Sequence, residues 1–177
     1  EAAHGIPGAK ILKAGDLVNI DVSAELDGYF ADTGGSAIIP PEAKLQQRIC
    51  AVAKKALERA MLEARAGARI NRIGHAIENE AVKNGFTVIE NIGSHGVGRA
   101  LHEEPGFIPG YFDKRDQRIL KENQVITIEP FISSGARNVF DSGDGWTLIT
   151  NPGVFTAQYE HTMVITKGKP LIMTLPA

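Results

Sequence analysis

Over residues 17–22 apolar and polar side chains alternate, with Val18, Ile20 and Val22 on one face and Asn19 and Asp21 on the other. A period of two is the mark of a strand, and Lys13-Ala14-Gly15-Asp16 reads as the turn before it. Asp27-Gly28 then supplies the dipeptide favoured in a two-residue hairpin loop, where both central residues need a positive φ. With those two in the loop, Leu26 opposes Tyr29 and Ser23 opposes Asp32. Asp21 and Asp32 then become diagonal neighbours on one face, roughly 5 to 8 Å apart. Like charges that close repel unless a divalent ion sits between them.

The period changes after Pro40-Pro41. Leu45, Ile49, Val52, Ala53, Ala56, Ala60, Met61 and Ala64 recur at steps of three and four, which predicts a long helix stopping at Gly67. Lys54, Lys55, Glu58 and Arg59 form its solvated face. A second helix is expected from Asn71, as N-cap, through Ile73, Ile77 and Ala81 to Asn84-Gly85. His75 on that helix stands apart from the other histidines and reads as a surface or structural residue. Strand-like composition returns at 86–89, 125–132, 146–150 and 156–166. Residues 105–118, rich in Gly, Pro and charge, read as a loop long enough to be functional. Strands, then helices, then strands argue for an α+β domain with a largely antiparallel sheet. The runs ending at Asp21 and at Glu129 both close an alternating strand on an acid, an echo that a duplicated architecture would produce.

Composition narrows the compartment more than the chemistry. A chain of 177 residues fits one domain with a substantial core, and 43% hydrophobic residues is an ordinary globular value. No apolar run approaches the length of a membrane span. A formal charge of -2 gives no electrostatic case for nucleic acid or an anionic membrane. Cys50 is the only cysteine, so no internal disulfide forms and a reducing, cytoplasmic setting fits; its neighbours place it on a buried helix face. The opening Glu1-Ala2-Ala3-His4 has neither an initiator Met nor a signal-peptide pattern, and upstream residues are expected to have been removed or left out.

The acids change the picture. Asp21, Asp32, Glu129 and Glu160, with His95, all lie on strand-like or tight-loop sequence. Four buried carboxylates and an imidazole are too many for a core unless cations hold them together. Hard oxygen donors and one nitrogen suit Mn, Fe(II), Co or Zn and not a thiolate site. If two carboxylates bridge, five side chains hold two divalent ions, and a water shared between the ions is deprotonated near neutral pH and attacks a carbonyl. Residues 93–98 lack the Lys-Ser/Thr pair of a phosphate-binding loop; their glycines are expected to let the backbone pass close to the metals.

Six segments carry a more specific signal: His4-Gly5-Ile6-Pro7-Gly8, Asn19-Ile20-Asp21-Val22, Ser94-His95-Gly96-Val97-Gly98-Arg99, Leu101-His102-Glu103-Glu104-Pro105, Thr127-Ile128-Glu129-Pro130 and Ala157-Gln158-Tyr159-Glu160-His161-Thr162. In order and spacing they resemble the methionine aminopeptidases of the bacterial type, over essentially the whole chain. The resemblance implies the pita-bread fold: two pseudo-symmetric α+β halves with a curved, largely antiparallel sheet. Residues 1–177 would be one metallopeptidase catalytic domain without the family's upstream segment.

It further implies Asp21, Asp32, His95, Glu129 and Glu160 as ligands of two divalent ions, with Asp32 and Glu160 bridging. His102 would contact the scissile peptide, His4 the substrate, and Glu129 would also carry a proton. Trp146 and Leu101 would border the methionine pocket. The implied reaction removes the initiator methionine from nascent chains with a small second residue, by attack of a metal-bridged hydroxide. The implied setting is a cytoplasmic monomer, ribosome-associated, binding no nucleic acid directly and no membrane. Departures from the family pattern are Ala3 in place of a cysteine, Ala31 and Ser94 in place of glycines, and Leu101 in place of phenylalanine. Two alternatives stand beside this reading: an X-Pro aminopeptidase or dipeptidase of the same fold, and an inactive truncated binding module.

Overall fold

A computed structural model of the chain describes residues 1–41 and 43–175. The alternation at the start becomes a ten-residue hairpin arm, β1 (Leu17–Leu26), paired with β2 (Tyr29–Ile38). Leu26 faces Tyr29 and Ser23 faces Asp32, the register expected from a two-residue loop. Asp27 and Gly28 take φ of 54° and 82°, so the backbone turns left-handed at both and its twist matches that of the strands. The apolar face of β1 is not core: Ile20 is 66% and Val22 50% exposed.

Two helices follow, α1 (Lys44–Glu63) and α2 (Asn71–Lys83). Ile49, Val52, Ala53, Ala56 and Ala60 on α1 and Ile73, Ile77 and Ala81 on α2 are buried in one cluster. Small alanines on α1 let the two helices approach closely. Two helical expectations change. Leu45, expected inward, is exposed because it sits in the first turn beyond the packed stripe. Asn71 lies inside the helix, not before it: the cap position is Ile70, and the Asn71 amide instead donates to the carbonyl of Asp113 at 3.1 Å.

The remaining strands are short: β3 (Thr87–Val88), β4 (Ser94–Gly96), β5 (Glu103–Ile108), β6 (Val125–Ile128), β7 (Phe131–Ser133), β8 (Phe140–Asp141), β9 (Leu148–Ile149), β10 (Thr156–Gln158), β11 (Glu160–Val164) and β12 (Leu171–Ile172). The principal sheet runs β1-β2-β11-β6-β4-β5, with β12 on β11; a second runs β10-β7-β3, and β8 and β9 pair alone. The pairings are antiparallel. Part of the expected loop at 105–118 belongs to β5, because residues up to Ile108 pair with β4.

Two of the long strands expected from sequence are broken, and the breaks matter. Residues 125–132 divide at Glu129-Pro130: β6 stays in the principal sheet and β7 crosses to the second. Proline has no N–H to donate, so a ladder cannot pass through it. Residues 156–166 divide at Tyr159, with β10 in the second sheet and β11 in the principal one. Glu129 and Glu160 therefore stand where neighbouring chain segments pass between sheets. The helices cover the opposite side, against Ile126, Ile128, Ile132, Ala157 and Met163.

Candidate metal centre

Asp32 is buried, and its Oδ1 accepts a hydrogen bond from Ser23 Oγ across the hairpin at 3.0 Å. Its backbone is fixed to β11 by one hydroxyl: Asp32 N donates to Thr162 Oγ1 at 2.8 Å, and that hydroxyl donates to the Asp32 carbonyl at 2.8 Å. Asp21 lies on the diagonal, at the solvent-exposed rim. Glu160 opens β11 opposite Gly34 of β2 and is 1% exposed.

Glu129 ends β6. Its N–H donates to Ser94 Oγ at 2.9 Å, and its Oε1 accepts from Thr127 Oγ1 at 3.3 Å. Thr127 Oγ1 also accepts from the His95 N–H at 3.2 Å, tying β4 to β6 at the site. The His95 ring places Nδ1 2.9 Å from the Gly96 carbonyl. A carbonyl only accepts, so Nδ1 holds the proton and Nε2 offers a lone pair. That Nε2 lies 3.4 Å from Glu129 Oε1 and 3.9 Å from Asp32 Oδ2.

The five residues expected from sequence thus converge. Ligand atoms of Asp32, His95 and Glu160 lie within 4.8 Å of one another, as do those of Asp21, Glu129 and Glu160. Glu160 belongs to both groups. Burial pushes its carboxyl up to about 11, helped by the charges of Glu129, Asp21 and Asp32. Burial also raises Glu129 well above the usual carboxylate range, with the charges of Asp21 and Asp32 adding to it. Asp21 rises to about 6 through burial of its carboxyl end and the charge of Asp32. Burial lowers His95, which keeps its imidazole neutral.

Whether cations fit is decided by Glu160 Oε1. It is buried and has no hydrogen-bond partner among the described residues. A buried carboxylate oxygen without a donor is costly, and a cation is the partner that four acids and a neutral imidazole lack. Three oxygen donors or two oxygens with one nitrogen suit a divalent ion of the Mn, Fe(II), Co or Zn kind.

The other expected residues sit around this centre unequally. His102 follows β4, and its ring centroid is 4.2 Å from that of His95. Leu101 is half-buried beside it in the chain. His4 and Trp146 form a pair of their own, stacked at 4.8 Å, because the first residues bridge to β9: Ala2 N donates to the Leu148 carbonyl at 2.8 Å. His75 packs edge-on against Phe112, far along α2. Four polar residues at the site were not singled out from sequence: Asn19, Thr127, Gln158 and Thr162. All four stand two residues from a candidate ligand in the chain; that spacing was the available signal.

The family model of metallopeptidase family M24 matches residues 1–167. The chain belongs to metallopeptidase family M24. Methionine aminopeptidase 2 of Bacillus subtilis is 47% identical to this M24 chain over 175 residues, covering 98% of the chain and 70% of the relative. The crystal structure of methionine aminopeptidase from Rickettsia prowazekii superposes with a TM-score of 0.93 at 36% identity, covering 98% of the M24 chain and 70% of that one. Prolidase from Pyrococcus furiosus also superposes, at a TM-score of 0.78 and 26% identity, over 98% of the chain and 45% of the prolidase. The curled antiparallel sheet with its helical cover is the pita-bread fold expected from sequence. M24 membership implies a divalent metal, which agrees with the donor set. Among the described residues no helix is long and apolar enough to cross a membrane.

Proposed function

We propose that this chain is a metal-dependent exopeptidase that releases the N-terminal methionine of peptides whose second residue is small. The observation that carries the reading is Glu160: shared by two groups of ligands, buried, and with one oxygen unsatisfied, in a chain 47% identical to a methionine aminopeptidase. Asp21, Asp32, His95, Glu129 and Glu160 would hold two divalent ions of the Mn, Fe(II), Co or Zn class. When bound, the ions supply Lewis acidity and an activated water.

The chain's own residues do the rest. Glu129, which ends the run beside His95, takes a proton from the attacking water and passes it to the leaving amine. His102, whose ring adjoins that of His95, donates toward the carbonyl oxygen on which charge develops. His4, stacked on Trp146, contacts the substrate near the attacking water, and Trp146 and Leu101 border the methionine side chain. The substrates are the N-termini of nascent polypeptides, and the working form is a cytoplasmic, ribosome-associated monomer acting as a single catalytic unit.

The likeness to a prolidase keeps one competitor in view. Metal-depleted protein is incubated with Met-Ala-Ser or with an X-Pro dipeptide, and Mn, Co, Fe(II) or Zn is added back in turn. Metal-dependent release of methionine from Met-Ala-Ser is expected. Cleavage confined to the X-Pro peptide would move the assignment to the prolidase branch. Two ions bound per chain with no cleavage of either would refute the aminopeptidase reading.

A further inference from the structure

We infer that Gln158 is a positioning residue of the metal centre: its amide, oriented by Asn19 and seated against Gly34, holds the carboxylates of Asp21 and Glu160 together and sets the affinity for one of the two ions. This rests on the proposed dinuclear reading and deepens it.

The amide is fixed from three sides. Gln158 is 2% exposed. Its N–H donates to Ser36 Oγ at 3.0 Å, and Ser36 Oγ donates to its carbonyl at 3.0 Å. Asn19 Nδ2 lies 3.2 Å from that same backbone carbonyl. Because a carbonyl only accepts, the Asn19 atom there is its nitrogen, a donor. The same nitrogen lies 2.9 Å from Gln158 Oε1, so Oε1 is the acceptor and Nε2 must face the other way.

Facing that way, Nε2 meets two carboxylates, Asp21 Oδ2 at 3.2 Å and Glu160 Oε2 at 3.1 Å. An amide nitrogen has two hydrogens, and two acceptors stand before it. The third wall is Gly34. A Cβ there would lie 2.6 Å from Gln158 Oε1 and 2.9 Å from Nε2, so no side chain fits while the amide stays in place.

The chemistry of an amide suits this position. A lysine would neutralise the acids and take the place of an ion. A hydroxyl has one hydrogen for two carboxylates. The neutral amide offsets repulsion between Asp21 and Glu160 and leaves their charge for a cation.

The support is also one-sided. Asp21 and Glu160 belong to the group completed by Glu129. In the other group, Asp32 is held by Ser23 and Thr162, and His95 by the Gly96 carbonyl. Glu160 is common to both groups but Asp21 is not, so losing the Gln158 amide loosens the ion of the Asp21 group more than that of the His95 group, whose Asp32 and His95 keep their own supports.

The test is stepwise Mn2+ binding to the full chain by calorimetry, in wild type, Gln158→Leu and Gly34→Ala, with electron paramagnetic resonance at two equivalents of metal. Gly34→Ala keeps every polar group and displaces only the amide, so it decides the matter where Gln158→Leu does not fold. One Mn2+ should bind about 10–100-fold more weakly in either variant while the other changes by no more than about threefold. The spin-coupled signal of the wild-type pair should give way to that of isolated Mn2+. Unchanged affinities and coupling in a folded variant overturn the inference, as does equal weakening of both ions. A wild-type chain that takes up no pair of ions overturns the dinuclear reading beneath it.

Discussion

Metal uptake by this chain should release protons, and the number follows from the carboxyls. In the metal-free protein Glu160 is pushed up to about 11, so at about pH 7.5 it carries its proton, whereas a ligand must be a carboxylate. Coordination therefore expels close to one proton from Glu160. Glu129, raised above the usual range by burial, adds to that release. Asp21, at about 6, is already ionised and adds only a few hundredths, about 0.03. The expected release is at least about one proton on binding the pair of ions, so the product of the two association constants rises at least about 10-fold per pH unit near pH 7.5. Calorimetric titration with Mn2+ in buffers of different ionisation enthalpy measures the release as the slope of observed enthalpy against buffer enthalpy. A slope of zero, with affinity independent of pH, would refute the picture of a protonated Glu160 waiting for metal.

The same shifts set the stability of the metal-free fold. Folded values above unfolded ones stabilise at low pH, and that contribution is lost as pH rises, first through about 6 for Asp21 and then toward about 11 for Glu160. Chelated protein should therefore melt lower at pH 8 than at pH 5.5. At pH 8, metal at about 100 times its dissociation constant should restore about 2.7 kcal/mol per site, or roughly 5–10 °C per ion; a melting temperature indifferent to thorough chelation would count against the site. His102→Ala should lower kcat by about 10²–10³-fold while metal content stays at the wild-type level, read by steady-state kinetics beside elemental analysis. Gly74→Ala drives a methyl into the carbonyl of Tyr111 and to 2.6 Å from that of Pro109. The clash outweighs the roughly 1 kcal/mol gain in helix propensity and should leave the protein about 1–3 kcal/mol less stable in urea denaturation.

The hairpin was legible to the residue, because Asp27-Gly28 leaves one register open and that register dictates which acids share a face. The helical stripes were legible for the same kind of reason, apart from Leu45 at a frayed first turn. Harder to read were the places where one apolar run serves two sheets. Residues 125–132 look continuous in hydrophobicity, and only Pro130 marks the division; at Tyr159 there is no such mark at all. The four acids of the candidate site could be named because acids within apolar alternation are conspicuous, and His95 by its place in the Ser94-His95-Gly96-Val97-Gly98 segment. Gln158 and Asn19 could not, since an uncharged amide beside a carboxylate looks like any polar strand position until its partners are placed. The exposure of Ile20 and Val22 likewise lies outside what alternation alone reports: a period of two says which residues share a face, and nothing about what covers it.

The position of β1 at the edge of the principal sheet has a dynamic consequence. Edge hairpins open locally at less cost than the body of a fold. Here the hairpin supplies Asp21 and Asp32, while Glu129 and Glu160 lie about a hundred residues or more further along the chain. A cation shared among them is a reversible cross-link over a long loop, and it ties the hairpin's opening to metal occupancy. Amide exchange in β1 and β2 should thus slow sharply when metal binds, while α1 and α2 change little. The outermost strand would report, residue by residue, whether the centre is filled.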